Sequence, residues 1–387
     1  MPTAIGFEER ASAPGARRLL CVLGMHRSGT SVVTQWLHRL GAELGPQMLA
    51  AMDGVNDDGF WEDSRVVDLN ERLLAARAAR WQDCTPLAAA AATPELAAMH
   101  AEAHAHFAAH YAGSTAVGPW VVKDPRLCRL LPFWRQVWAE AGLEVDIVHV
   151  LRHPYAVAKS LQRRDRIPFE YGVLLWLVYT LEALTHTLDG VVHAGNAVSH
   201  SDARPGIVEP ESRGLAVVFE TLCREPSAEG PRLAGLLSER CGIRWQLDEA
   251  QWPAAGTATI KQHLRHHDAA LPSGTGLGEL LAFAAAAYET LAAAAPGLPD
   301  ATQSSALNAQ LQTLVQRHGD ELAMLQRLTD ELMALSAECV RIGTLHGEAL
   351  EALRKKDQLI KDITHLRFWR ILPQLLARAA KRRTDKR

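Results

Sequence analysis

The chain has little of what marks several common classes. Its most apolar run, Val173 to Leu181, is closed by Glu182 and is too short to cross a bilayer. Its six cysteines (Cys21, Cys84, Cys128, Cys223, Cys241, Cys339) are scattered and include no C-x-x-C pair, which leaves no dithiol or zinc-ribbon motif. Cys21 and Cys128 stand among apolar residues and suit reduced core thiols. Net charge is only −3, so no global field draws the chain to nucleic acid or to a membrane, and any basic patch must be local. Met1 to Arg18 carries acids and lacks the apolar core of a signal peptide, so residues 1–18 are expected to be a flexible tail and the chain cytoplasmic. What remains, 387 residues of which 48% are hydrophobic, is enough for one large α/β domain and an appendage.

The stretch that organises the rest is Leu19-Leu20-Cys21-Val22-Leu23-Gly24-Met25-His26-Arg27-Ser28-Gly29-Thr30-Ser31. An apolar run of strand length precedes a glycine-bounded turn with a cation and hydroxyls. Val32, Val33, Trp36, Leu37 and Leu40 then follow at helical spacing, with Gly41 placed for a left-handed cap. A strand, a glycine turn and a helix start together aim free amides and a positive dipole end at one point, where a phosphate-like anion can sit. Gly24-x-x-x-x-Gly29 has the glycine spacing of a nucleotide P-loop, but Thr30 stands where the P-loop lysine belongs. The cation, Arg27, instead comes two residues before Gly29. The same residues also suit a turn that merely joins a core strand to a core helix.

Asp53 to Asp63 is polar and turn-rich and ends in Phe60, Trp61 and the carboxylates Glu62 and Asp63. Glu62 is a candidate general base in such a loop, or else a first-turn acid that helps start the helix through Val66, Leu69, Asn70, Leu73 and Leu74. Residues 85–112 read as an alanine-rich helix. His100 with His104, and His106 with His110, are spaced to bind a metal, but no third ligand is evident. A solvated helix face and no metal are therefore expected. Trp120 to Lys123 reads as a second strand stopped by Pro125, with a helix through Leu127, Leu130, Leu131, Trp134 and Trp138 after it. Val145 to Leu151 is a third strand, apolar enough for burial on both faces of a parallel sheet. Arg152-His153-Pro154 then opens a helix that carries Ser160 and Arg164. Trp176 and Tyr179, on a helix over Phe169–Leu188, are expected in the core. Leu215 to Phe219 is a fourth strand and Leu281 to Ala295 a last alanine-rich helix, while His193 to Arg213 is polar and unassigned.

These motifs, in this order, resemble those of bacterial sulfotransferases that use 3′-phosphoadenosine 5′-phosphosulfate (PAPS), from about Leu19 to Pro296. The resemblance implies that His26, Arg27, Ser28, Gly29, Thr30 and Ser31 hold the 5′-phosphosulfate. It implies that Arg152, with Ser160 eight residues on, and Arg164 hold the 3′-phosphate. It makes Glu62 the base and Arg27 and Lys123 the stabilisers of the sulfuryl group and leaving oxygen, with Lys123 matching the lysine of a Lys-Asp-Pro. Phe219-Glu220-Thr221-Leu222 departs from the family's Tyr-Glu-Asp-Leu, and the basic Ile260 to His266 is of the kind that closes over a nucleotide. The implied fold is a parallel-sheet, P-loop-like α/β domain over 19–296. PAPS is the co-substrate, without a metal, and the acceptor is a hydroxyl, of a carbohydrate or glycoconjugate above all. A P-loop kinase and a scaffold with a vestigial nucleotide fold are the alternatives.

From Leu307 onward, apolar residues recur alternately four and three apart, including Leu311, Leu314, Leu325, Leu328, Leu332, Leu335, Ile342, Leu353 and Ile360. That 3.5-residue period predicts a coiled coil over 306–366 after a linker over 297–305, and through it a homodimer. One long helix packed back on the first domain is the alternative. Residues 367–387 combine Phe368, Trp369, Ile371 and Leu372 with Arg370, Arg378, Lys381 and Arg382. Such a basic amphipathic tail suits the inner face of a membrane or contact with a glycosyltransferase module.

Overall fold

The computed structural model describes residues 17–50, 59–87, 93–111, 118–196, 214–260 and 277–365. Four strands, β1 (Arg17–Leu23), β2 (Trp120–Lys123), β3 (Leu143–Leu151) and β4 (Gly214–Val218), form one parallel sheet in the order β2-β1-β3-β4. The register pairs Cys21 with Val122 on one side and with Ile147 on the other, and Val150 with Val217. Side chains alternate between two apolar clusters, as the strand period of two requires. Leu19, Cys21, Leu23, Val122, Ile147 and Leu151 face one layer; Leu20, Val22, Val121, Val148 and Val150 face the other. The strand centres, such as Leu19–Leu23 and Leu215–Val218, read as apolar runs because helices cover both faces.

The first layer is built from α2 (Ser64–Ala75), α3 (Pro94–Tyr111), α4 (Leu127–Glu140), α5 (Pro154–Asp165), α6 (Phe169–Asn196) and α10 (Gly278–Ala294). The second is built from α1 (Thr30–Arg39), α7 (Phe219–Arg224), α8 (Pro226–Cys241) and α9 (Trp252–Thr259). Trp134, Trp138, Trp176 and Tyr179 are fully buried, so the last two are core residues. Among the described residues no single helix is long and apolar enough to cross a membrane.

Topology sets the site. α1 leaves β1 toward the second layer, whereas α5 leaves the neighbouring β3 toward the first. Adjacent parallel strands whose following helices go to opposite faces open a crevice at their carboxyl ends, where ligands of open α/β sheets bind. The Gly24–Gly29 turn and Arg152 lie on either side of that crevice.

The C-terminal part differs from its sequence reading. Asp300 and Gln303 form a capping box that starts α11 (Ala301–Arg317) inside the expected linker. Leu311 and Leu314, seam positions of the expected coiled coil, are buried against α6 and α10, and Asn308 donates to Thr185 Oγ1 at 2.8 Å. The chain divides into two compact units, one up to Arg327 and one from Leu328. The helix α12 (Gly319–His365) carries the second unit's described residues, with Leu335, Ile342 and Leu353 exposed. The tail over 367–387, the segment after Ile260 and most of the unassigned polar stretch lie outside the described residues.

Candidate active site

The turn after β1 is fixed before any ligand arrives. The Gly24 amide donates to Cys128 Sγ at 3.2 Å, and the Ser28 amide closes on the Met25 carbonyl at 3.0 Å. Gly29 takes φ 92°, and a Cβ there would run into the Phe219 ring, so only glycine fits. α1 then starts at Thr30 without a side-chain cap and without an acid in its first turn. The amides of Thr30, Ser31 and Val32 have no helical acceptor and the first turn carries no acid, a geometry that suits an anion. Ser28, expected with them, is the exception. Its amide is used within the turn, and its buried hydroxyl has no partner among the described residues.

The cations converge from both sides of the crevice. Arg27, at φ 70°, donates from Nε to Ser160 Oγ at 2.8 Å. Arg152 donates to the Arg27 carbonyl at 2.9 Å, and its guanidinium lies over the Phe219 ring, 4.9 Å from the centroid. Neither arginine is in an ion pair among the described residues. Burial, reinforced by the Arg164 and Arg152 charges, lowers the Arg27 pKa to about 10; burial lowers that of Arg152 as well. Crowded, desolvated cations of this kind are stabilised by an anion placed between them. Arg164 is partly committed, since its Nε bonds both oxygens of Asp165 at 2.9 and 2.8 Å. The His26 ring packs 4.4 Å from Trp81, its Nε2 is buried without a partner among the described residues, and burial holds its pKa well down. Its side chain is therefore a neutral packing group, which leaves its backbone as the part able to face an anion.

A second group lies at the end of β2. Lys123 Nζ donates to Glu62 Oε1 at 2.5 Å, to the Phe60 carbonyl at 2.5 Å and to Ser31 Oγ at 3.3 Å. Ser31 Oγ in turn donates to the Phe60 carbonyl at 3.2 Å, which ties the turn after β1 to the loop that carries Glu62. Glu62 does not start the helix: Asp63 caps α2 by accepting from the Arg65 amide at 2.8 Å. Burial raises the Glu62 pKa, and Lys123 opposes that rise. Trp61, just before it, is held at φ 57°. A bulky residue in that region marks a backbone constrained by its surroundings, as at Arg27.

Several residues here were not legible as site residues. Phe219 supports both Gly29 and Arg152. Glu220 accepts from the His153 amide and from the Tyr288 hydroxyl, each at 2.9 Å, and so fastens the end of β3 to α10. One of the two departures from the family's Tyr-Glu-Asp-Leu, Phe219, thus lies against Gly29 and Arg152, while the matching Glu220 ties β3 to α10. Asp124 is saturated, accepting from Asn70 Nδ2 on one oxygen and from the Arg126 amide and guanidinium on the other. It offers no free carboxylate for the Mg²⁺ of a P-loop kinase. The helix face carrying the histidines is not simply solvated, because His106 Nε2 meets Asp63 Oδ2 at 3.1 Å.

No protein-family model matches this chain, and no curated protein matches it. A solved structure, the sulfotransferase domain from the Synechococcus PCC 7002 olefin synthase, is similar at 18% identity and a TM-score of 0.39. The match covers 73% of this chain and 98% of that domain. What the chain itself displays is a parallel α/β sheet with a cationic crevice at the carboxyl ends of adjacent strands. The functional reading rests on those residues and not on that likeness.

Proposed function

We propose that this chain is a PAPS-dependent sulfotransferase acting on a hydroxyl acceptor. The observation that carries the reading is the linked set Arg152, Arg27 and Ser160, which joins the cradle after β1 to the helix after β3. The residues fit a doubly phosphorylated nucleotide: uncompensated amides at Thr30 to Val32 face one end, and Arg152 with Ser160 and Arg164 face the other. PAPS supplies an activated sulfuryl group and a phosphate leaving group. Glu62 takes the proton of the acceptor hydroxyl, its carboxylate held charged by Lys123. Arg27 and Lys123 supply the positive charge that stabilises the transferred group and the departing oxygen, a role worth on the order of a hundredfold in rate per donor. The acceptor is read as a carbohydrate or glycoconjugate, with Phe60 and Trp61 offering apolar ring surface beside Glu62. Leu328, Leu335, Ile342 and Leu353, exposed at seam spacing, support the coiled-coil homodimer. Sedimentation of the chain and of its Leu335→Glu variant tests that association.

Thermal stabilisation by 3′-phosphoadenosine 5′-phosphate tests the nucleotide assignment. The reading expects a clear rise in melting temperature that ATP with Mg²⁺ does not reproduce. Equal stabilisation by ATP overturns it. Transfer of labelled sulfur from PAPS to a panel of glycans, glycolipids and small alcohols then tests the acceptor class.

A further inference from the structure

We infer that Asp63, His106 and His110 form a binding site for a divalent transition-metal ion of the zinc class. The helix α3 sets His106 and His110 one turn apart on the same face, and their ring centroids are 5.0 Å apart. Asp63, from the turn before α2, supplies the third group. One ligand atom from each of the three lies within 4.8 Å of the other two. Zinc ligands 2.0–2.1 Å from the ion stand about 3.3 Å apart in a tetrahedron. The His106–Asp63 pair, at 3.1 Å, already has that spacing, and the set closes on an ion by contracting about 1.5 Å at its widest.

The surroundings suit an ion. Asp63 Oδ1 is held by the Arg65 amide, which fixes the carboxylate and turns Oδ2 to the histidines, as an outer-shell hydrogen bond orients a ligand. The three residues line a cavity of about 20 Å³, room for one water-sized occupant. Met48, Phe107 and Trp120 also line it, and the His110 ring lies 5.6 Å from that of Trp120. Lys123 borders the same cavity, but its ammonium is committed to Glu62, Phe60 and Ser31. Two imidazoles and one carboxylate favour zinc, cobalt, nickel or copper over magnesium or calcium. Three protein ligands leave a fourth position for water or another ligand. The bound ion would fasten the end of α3 to the turn that carries Glu62 and Asp63. The inference does not depend on the sulfotransferase reading, because it concerns metal affinity alone.

The test uses the full chain, stripped with a chelator and titrated with Co²⁺ and Zn²⁺. One equivalent of Co²⁺ should give the visible absorption of a four-coordinate ion, displaced by Zn²⁺. His106→Ala and His110→Ala should each weaken binding at least about a hundredfold, while His104→Ala leaves it unchanged. Binding that survives in His106→Ala and His110→Ala, or no stoichiometric uptake by the wild type, overturns the site. X-ray absorption of the zinc-loaded wild type covers variants that fail to fold. Two imidazoles and an oxygen shell support the site; sulfur ligands, or fewer than two imidazoles, overturn it. Nucleotide stabilisation measured on the stripped chain is separate, and its failure would bear only on the sulfotransferase reading.

Discussion

Arg152 reaches from the end of β3 to the main-chain carbonyl of Arg27, 2.9 Å away, in the turn after β1. One guanidinium thereby braces a residue held at φ 70° and presses on the Phe219 ring that bounds Gly29. Arg152 is thus both a cation of the crevice and a brace for the neighbouring loop.

Arg152→Lys separates those roles. Lysine keeps the charge but lacks the planar fork that bonds a carbonyl while stacking on a ring. Stabilisation by 3′-phosphoadenosine 5′-phosphate should fall at least about tenfold in apparent affinity in Arg152→Lys, and further in Arg152→Ala. Calorimetric titration gives the affinities. Unchanged affinity in Arg152→Lys would mean that charge alone suffices and that the contact with Arg27 is incidental.

Gly29→Ala meets two obstacles, a left-handed φ of 92° and the Phe219 ring. Strain of this kind costs on the order of 1–3 kcal/mol. Urea unfolding should show a loss in that range, and nucleotide stabilisation should weaken with it. Adding Phe219→Leu should recover part of the stability, because it relieves the collision but not the backbone strain. Full recovery would show that the conformation itself is cheap. No recovery would show that Phe219 is not the obstacle.

The acid limb of activity should report Glu62. Burial raises its pKa above the ordinary 4.5, so if Glu62 is the base proposed above, it is lost by protonation at a higher pH than an exposed glutamate. Activity therefore rises with pH through a midpoint above that value. Lys123 is the largest opposing influence. Lys123→Met lowers the maximal rate and also moves the midpoint to higher pH, since a buried carboxylate loses its counter-charge. Rate against pH for both forms checks this, and a midpoint that stays put in Lys123→Met removes Lys123 as the partner that keeps Glu62 charged.

Much of the fold was legible because its strand centres are mostly apolar and several of its helices keep helical spacing. Leu19–Leu23, Val121–Lys123 and the five helix residues from Val66 to Leu74 are buried where the pattern put them. The candidate site was legible as two local motifs, Gly24–Ser31 and Arg152–Ser160, which the fold brings into contact. It was not legible where the partner comes from afar. The third ligand-type group beside His106 and His110 is 43 residues earlier, at Asp63, and helix spacing holds no trace of it. The first heptads read differently in the fold for the same reason. Leu311 and Leu314 repeat as a coiled coil does, yet a helix face packed on α6 and α10 has almost the same period.

His149 gives a stability prediction independent of ligand. It sits mid-sheet on β3, paired with Leu23 and Ala216, and is buried. Thr187 donates its hydroxyl to the Ala183 carbonyl at 2.7 Å, so at the 3.0 Å contact with His149 Nε2 it must accept. That requires a hydrogen on Nε2, which the neutral ring carries as its Nε2 tautomer. Burial, aided by the Arg135 charge, takes the pKa down from 6.5 to about 3. The unfolded chain binds a proton near pH 6.5 that the folded chain refuses until much lower pH. The contribution is therefore complete above pH 6.5 and drains away as pH falls toward 3. Each pH unit within that window costs at most about 1.4 kcal/mol. Between pH 7 and pH 4.5 the wild type should lose about 2–3 kcal/mol more than His149→Val, which has no proton to bind. Urea unfolding at the two pH values measures the difference. Parallel losses in the two proteins would mean that His149 does not enter the fold as a neutral, desolvated imidazole.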